Sequence, residues 1–89
     1  MELKRAFGMA LRDTRKARNL IQEDFGGVSS QTYLSQLEAG TKGPSLEKTH
    51  ELASVMGVHP LTILAHCYLL VDDTLTLVRN NSLRVFVQR

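Results

Sequence analysis

Residues 22–40 read QEDFGGVSSQTYLSQLEAG, and the expected architecture follows from this stretch. Its pattern predicts two short helices that meet at a tight turn containing Gly26 and Gly27. Ser29 or Ser30 is placed to cap the second helix, because a serine hydroxyl accepts a hydrogen bond from a free N–H group of the first turn. Gly40 is expected to end that helix, since glycine readily adopts the left-handed conformation of a C-cap.

The second of these helices has one apolar and one polar side. Leu34 and Leu37 lie three residues apart, so they share a face and are predicted to point inward. The opposite side carries short or amide-bearing groups without net charge: Gln31, Thr32, Ser35 and Gln36. Amides and hydroxyls match the donors and acceptors on base-pair edges, so this side suits contact with DNA. A solvated polar helix face is the alternative.

Three further helices are predicted from apolar residues at intervals of three and four. They cover residues 2–18, 45–56 and 60–69. Leu46 and Leu52 are predicted to face inward from the middle one of these. Five helices joined by short loops indicate a compact all-α domain over residues 1–71.

Toward the end of the chain, the spacing of the apolar residues changes from a helical to a strand-like pattern. Residues 74–78 and 83–87 alternate in hydrophobicity and flank Asn80 and Asn81, and asparagine tolerates positive φ. This pattern predicts a C-terminal β-hairpin or strand tail over residues 72–89. A lone hairpin is marginal in water and exposes its edges, so we expect it to pair with a second copy and make a homodimer. A strand lying on its own helices, or an extended fifth helix, is the alternative.

Charge is unevenly distributed along the 89 residues. The net charge is only +2, but residues 1–19 carry six basic and two acidic residues. A basic first helix is typical of a segment that flanks a nucleic-acid site, although charge alone also fits a solvated helix face. A chain of this length has no room for a separate effector domain, and an enzyme of ordinary size is not expected.

Other classes of function lack a sequence signal. Cys67 is the single cysteine, which predicts a reducing compartment and no internal disulfide. No apolar run of membrane-spanning length and no signal peptide is present, so we predict a soluble, cytoplasmic protein. His66 and the other histidines do not form a metal-ligand spacing with Cys67. We therefore expect no enzymatic activity, no cofactor, no metal and no small-molecule effector.

An ordered set of short motifs resembles the Cro and phage-repressor type of helix-turn-helix regulators, the xenobiotic-response-element family. The matching motifs are Arg15-Lys16, Gln22-Glu23, Tyr33-Leu34-Ser35, Leu37-Glu38, Gly40, Pro44-Ser45-Leu46, Leu52-Ala53 and Gly57-Val58. The resemblance covers residues 7–64. It implies a five-helix domain whose third helix enters the major groove of double-stranded DNA, as a dimer on a two-fold symmetric operator.

The resemblance also implies roles for individual residues. The base-reading positions are Gln31, Thr32 and Gln36, with Ser35 beside them. The expected contacts to the DNA backbone are Gln22, Ser30, Tyr33 and Lys42, although Tyr33 is equally suited to fill the gap between helices. Arg12, on the basic first helix, is a further candidate for the backbone, and a place on the solvent face of that helix is its alternative. Arg15 and Glu38 match an internal ion pair that links the first helix to the recognition helix, which is a structural role.

Two departures from the family pattern have consequences. The segment from Gln22 to Glu38 is two residues shorter than usual, and Gly26 and Gly27 replace the end of the second helix, so that helix is expected to be clipped. Residues 29–40 contain no Lys or Arg. Few phosphates would then be neutralised by one subunit, which makes dimerisation part of the expected mechanism. The same absence keeps an alternative open: a protein-interaction module of this fold, such as an antitoxin or adaptor subunit.

Overall fold

The computed structural model describes residues 1–72, which form four α-helices and one turn of 3-10 helix. The elements are α1 (Leu3–Ala17), the 3-10 turn (Gln22–Phe25), α2 (Gln31–Ala39), α3 (Leu46–Met56) and α4 (Pro60–Asp72). The prediction of an all-helical domain is confirmed. The predicted hairpin strands, residues 74–78 and 83–87, lie outside the described residues.

The second predicted helix differs from the prediction, because this segment forms only a four-residue 3-10 turn. The Asp24 carboxylate accepts a hydrogen bond from the Ile21 N–H at 2.9 Å and fixes the start of this turn. Gly26 and Gly27 follow at once, and glycine inside a helix costs about 1 kcal/mol relative to alanine. The prediction of five helices is therefore not confirmed for the part of the chain that is described.

The other helix boundaries follow from capping. Ser30 and Ser45 each accept a hydrogen bond from a first-turn N–H group, at 3.1 and 3.0 Å. Gly40 and Gly57 end α2 and α3 with φ values of 82° and 70°, a conformation that glycine adopts without steric cost. α4 continues to Asp72, three residues beyond its predicted end.

The core lies between α1, α2 and α4, with α3 closing one side. Leu34 and Leu37 are fully buried, as predicted from their spacing. The prediction that Leu46 faces inward is wrong, because its side chain is 84% exposed. Leu46 is the first residue of α3, and helical side chains tilt toward the N-terminus, so it points past the end of the core.

Glycine lets α1 and α2 approach closely. A Cβ atom added to Gly8 of α1 would stand 2.4 Å from the Leu37 carbonyl oxygen and 2.6 Å from that of Glu38. A Cβ on Gly40 would stand 2.8 Å from the Arg5 Cα. The second half of α2 therefore lies directly against the backbone of α1.

No single helix within residues 1–72 is long and apolar enough to cross a membrane. Of the described helices, only α3 and α4 together reach the required length and apolar character, and these two helices are bent by 110° relative to each other.

Candidate nucleic-acid interface

A buried ion pair fixes the inner side of α2. The Arg15 Nε and Nη2 atoms donate to the two carboxylate oxygens of Glu38 at 2.7 and 3.0 Å, and Arg15 Nη1 donates to the Leu20 carbonyl at 3.0 Å. The two side chains are only 11% and 7% exposed. The hydrogen bond to Glu38 raises the pKa of Arg15 despite the opposing effect of burial, so the guanidinium stays charged. This bidentate pair sets the angle at which α1 presents α2.

Gln22 extends this network toward the surface. Its Nε2 donates to Glu38 at 3.2 Å, and its Oε1 accepts a hydrogen bond from the Ser35 hydroxyl at 3.0 Å. Gln22 and Ser35, which were predicted to contact the backbone and the bases, thus bind each other. Each keeps spare capacity, since an amide has a second N–H and a hydroxyl has two lone pairs. The clipped turn brings Gln22 over α2.

The outer side of α2 has a different character. Gln31 and Thr32 are exposed and Gln36 is half-buried. Within residues 1–72, none of their three side chains makes a hydrogen bond. They line an open depression of about 530 Å³ whose remaining lining residues are Ser35, Ala39 and Thr41. The predicted base-reading residues therefore share one accessible concave strip.

The predicted backbone contacts surround this strip to different degrees. Ser30 lies at the start of α2, where its hydroxyl oxygen is engaged as the N-cap. Tyr33 is half-buried and packs against the core. Lys42 is exposed in the loop after α2.

Arg12 borders the strip from the side of α1. It is exposed and lines a second depression, of about 250 Å³, together with Arg15, Gln22, Ser35, Glu38 and Ala39. Ser35 and Ala39 line both depressions. Arg12 is therefore placed to reach a ligand that lies along α2.

Two cations beside the site were not predicted. Arg5 packs its backbone against Gly40, and the Lys4 side chain passes 3.6 Å from the position that a Cβ of Gly43 would occupy. Both residues are exposed, so α1 delivers two positive charges to the C-terminal end of α2. The sequence shows them only as part of a basic helix, because the contact that places them is tertiary.

Some basic side chains bind groups within the domain, and others do not. Arg18 donates to the Met56 carbonyl at 3.0 Å, and Lys48 donates to the Val28 carbonyl and pairs with Glu51 at 2.8 Å. Those two side chains hold the fold together. In the part of the chain that the structure describes, the cations near the strip form no ion pair: Lys4, Arg5, Arg12 and Lys42.

Other chemistry finds little support in residues 1–72. No group of three or more His, Cys, Asp or Glu side chains is arranged to hold a metal ion there. Cys67 is buried, and burial raises the pKa of its thiol, which makes it a poor nucleophile. His66 lies 3.7 Å from Asp13 across the α1–α4 contact.

Comparison with known proteins agrees with this geometry. The helix-turn-helix family pattern matches residues 11–63, which contain the 3-10 turn, α2 and α3. An uncharacterized HTH-type transcriptional regulator of Sinorhizobium fredii, y4dJ, is 35% identical over 60 residues, covering 65% of this chain and 78% of the relative. No solved structure matches the chain significantly. The chain belongs to the XRE-type helix-turn-helix family of DNA-binding transcriptional regulators.

Proposed function

We propose that this protein is a sequence-specific regulator that inserts α2 into the major groove and binds a two-fold symmetric operator as a homodimer. One observation carries the proposal. Glu38, on the inner side of α2, is fixed by its ion pair with Arg15, whereas Gln31, Thr32 and Gln36 point outward without a partner in residues 1–72.

The dimensions of α2 fit a groove. Its nine residues make a helix roughly 14 Å long, at about 1.5 Å per residue. The major groove of B-DNA is about 12 Å wide and admits one α-helix, whose diameter with side chains is about 10–12 Å. The Gln31 and Gln36 amides can each accept a hydrogen bond from the adenine N6 amino group and donate one to adenine N7, and the Thr32 methyl can contact the thymine methyl. We assign base reading to these three residues, with Ser35 beside them and held by Gln22.

Phosphate contacts come from neighbouring elements, because residues 29–40 contain no Lys or Arg. We assign them to four cations: Lys4, Arg5, Arg12 and Lys42. The polar residues Gln22, Ser30 and Tyr33 add neutral contacts at the start of the reading helix. Each neutralised phosphate contributes a slope of about −0.9 to log K against log salt, so a dimer using all eight cations would show a slope of roughly −7.

Dimerisation is assigned to residues 72–89, on the strength of their alternating sequence. A two-fold dimer places its reading helices about 34–36 Å apart, one turn of DNA, which makes a palindromic site the natural target. Sedimentation equilibrium of the full chain and of a chain ending at Asp72 tests this assignment. We expect a dimer and a monomer, respectively, and a shortened chain that remains dimeric would contradict the role of the tail.

Selection from random duplexes tests the DNA-binding proposal itself. We expect the full-length protein to enrich a short palindromic consensus at moderate salt. Failure to select any sequence, even at low salt, would overturn the proposal and favour the protein-interaction module, which the lack of cations on α2 supports.

A further inference from the structure

Ser35 differs from the other polar residues of the strip, because its hydroxyl proton is already engaged. The hydroxyl donates to Gln22 Oε1 at 3.0 Å, whereas the Gln31 and Gln36 side-chain amides make no hydrogen bond within residues 1–72. We propose that Ser35 is held as a hydrogen-bond acceptor and reads an exocyclic amino group, the N6 of adenine or the N4 of cytosine. The inference rests on the proposed insertion of α2 into the major groove, and it names the base chemistry that one residue selects.

The orientation of the Gln22 side chain is fixed by charge. Glu38 Oε1 lies 3.0 Å from Arg15 Nη2 and 3.2 Å from Gln22 Nε2. An ionised carboxylate only accepts hydrogen bonds, so Gln22 turns its NH₂ group toward Glu38. The opposite orientation would bring the amide oxygen against the carboxylate oxygen, and the two negative atoms would repel each other. The amide oxygen of Gln22 therefore faces away from Glu38 and is available to Ser35.

This orientation decides what the Ser35 hydroxyl offers to a ligand. A free serine hydroxyl turns its proton to suit its partner, so it donates to one base and accepts from another. Here the proton is directed to Gln22, and the lone pairs of the hydroxyl oxygen remain. Ser35 is exposed and lines the strip, so these lone pairs are accessible to a base in the groove.

Base edges in the major groove form two groups for such an acceptor. Adenine N6 and cytosine N4 are amino groups that donate, whereas guanine O6 and thymine O4 are keto oxygens that accept. Ser35 therefore bonds to an amino base and repels a keto base. At the base that Ser35 contacts, we expect amino bases to be preferred over keto bases by about tenfold. The Gln31 and Gln36 amides carry both donors and acceptors, so they lack this restriction.

A double-mutant cycle on the selected duplex tests the assignment. Ser35→Ala should abolish the amino preference at one base pair and thereby identify it. Gln22→Met keeps the length of the side chain but accepts hydrogen bonds only weakly, so the freed Ser35 hydroxyl can turn its proton toward a keto oxygen. We expect the tenfold preference to fall to within about twofold in Gln22→Met, and the same substitution to have no effect at that base pair in the Ser35→Ala background.

Glu23→Met is the matched control, because it places the same side chain on the next residue of the 3-10 turn, which is exposed. It should keep the full amino preference. Three results would overturn the proposal: a keto base preferred at the position that Ser35→Ala identifies, no position affected by Ser35→Ala, or an unchanged preference in Gln22→Met.

The orientation of Gln22 is tested separately, without DNA. In the free full-length protein, the side-chain NH₂ protons of Gln22 should exchange with water at least about threefold more slowly than those of Gln31 and Gln36, because Glu38 binds one of them. Equal exchange rates would overturn the proposal even if the protein selects a DNA sequence. Slow exchange at Gln22 in a protein that selects no sequence would instead be a failure of the DNA-binding proposal, and the role of Ser35 would fall with it.

Discussion

The two polar sides of α2 differ in what their side chains contact. On the inner side, Glu38 binds Arg15 and Gln22 within 3.2 Å, and the pair is almost fully buried. On the outer side, Gln31 and Gln36 have the same kind of amide that Gln22 has, yet neither makes a hydrogen bond with another described residue. The difference separates the residues that hold the helix from the residues available to a ligand.

This contrast predicts two classes of variant. Changes on the inner side should lower stability and affinity for every DNA sequence, because they loosen or tilt the whole helix. Changes on the outer side should leave stability nearly unchanged and alter the choice of sequence. We expect the largest effect from the buried ion pair, smaller effects from the α1–α2 contact and then from the outer amides, and the smallest effect from the cations around α2.

The largest effect is expected from Glu38→Gln. It leaves the Arg15 charge buried without its carboxylate partner, and removing one member of a buried pair costs about 3–5 kcal/mol. Urea denaturation should show a lower midpoint with an unchanged slope. Glu47→Gln is the control, because Glu47 is exposed and makes no ion pair within the described residues. Equal midpoints for the two variants would mean that the pair does not stabilise the fold.

Gly8→Ala should be the next most damaging change. Alanine normally stabilises a helix by about 1 kcal/mol relative to glycine, but here its Cβ would meet two carbonyl oxygens of α2 within 2.6 Å. We expect a net loss of about 1–3 kcal/mol in the free energy of unfolding, the usual range for overpacking. Gly27→Ala is the matched control, since no atom lies within 4 Å of the added Cβ. A more stable Gly8→Ala variant would refute the close contact of α1 with α2.

Gln36→Ala and Gln31→Ala address the outer side. Each is expected to reduce discrimination at one position of the selected site by about 1–3 kcal/mol, the usual range for a bidentate base contact. The free energy of unfolding should stay within about 0.5 kcal/mol of the original, as for most surface substitutions. Competition binding with single-base variants of the site measures the first quantity. If affinity falls equally for all sequences, these amides do not read bases.

Arg12→Gln should give the smallest effect. Loss of one phosphate contact in each subunit removes about 1.8 from the magnitude of the dimer's salt slope, at about 0.9 per contact, with no change in sequence preference. Titrations at several salt concentrations measure this slope. Arg12→Lys keeps the charge and serves as the control, so an equally reduced slope in that variant would argue against a simple phosphate contact.

Much of the fold was predictable because it depends on local rules. Ser30 and Gly40 bound α2 as their capping chemistry predicts, and the three-residue spacing of Leu34 and Leu37 correctly indicated burial. Leu46 shows the limit of such rules. Its position fits the apolar pattern of α3, but a first-turn residue has nothing beyond it to pack against.

The site was predictable only where a motif specifies it. Family motifs place Arg15 opposite Glu38, and the two side chains lie in contact. No motif indicates that Gln22 folds over Ser35, since this depends on the shortened 3-10 turn. Arg5 reaches the end of α2 only because Gly40 lacks a side chain, and that closeness is a property of the packed helices.

The central claim is that the outer amides of α2 enter the groove of a specific site. An NMR titration tests this claim most directly. The side-chain NH₂ resonances of Gln31 and Gln36 are followed while the selected duplex or, separately, a scrambled duplex is added. The account predicts large shifts of both resonances with the selected duplex and small ones with the scrambled duplex. Unchanged Gln31 and Gln36 resonances, with shifts confined to α3 and α4, would contradict it.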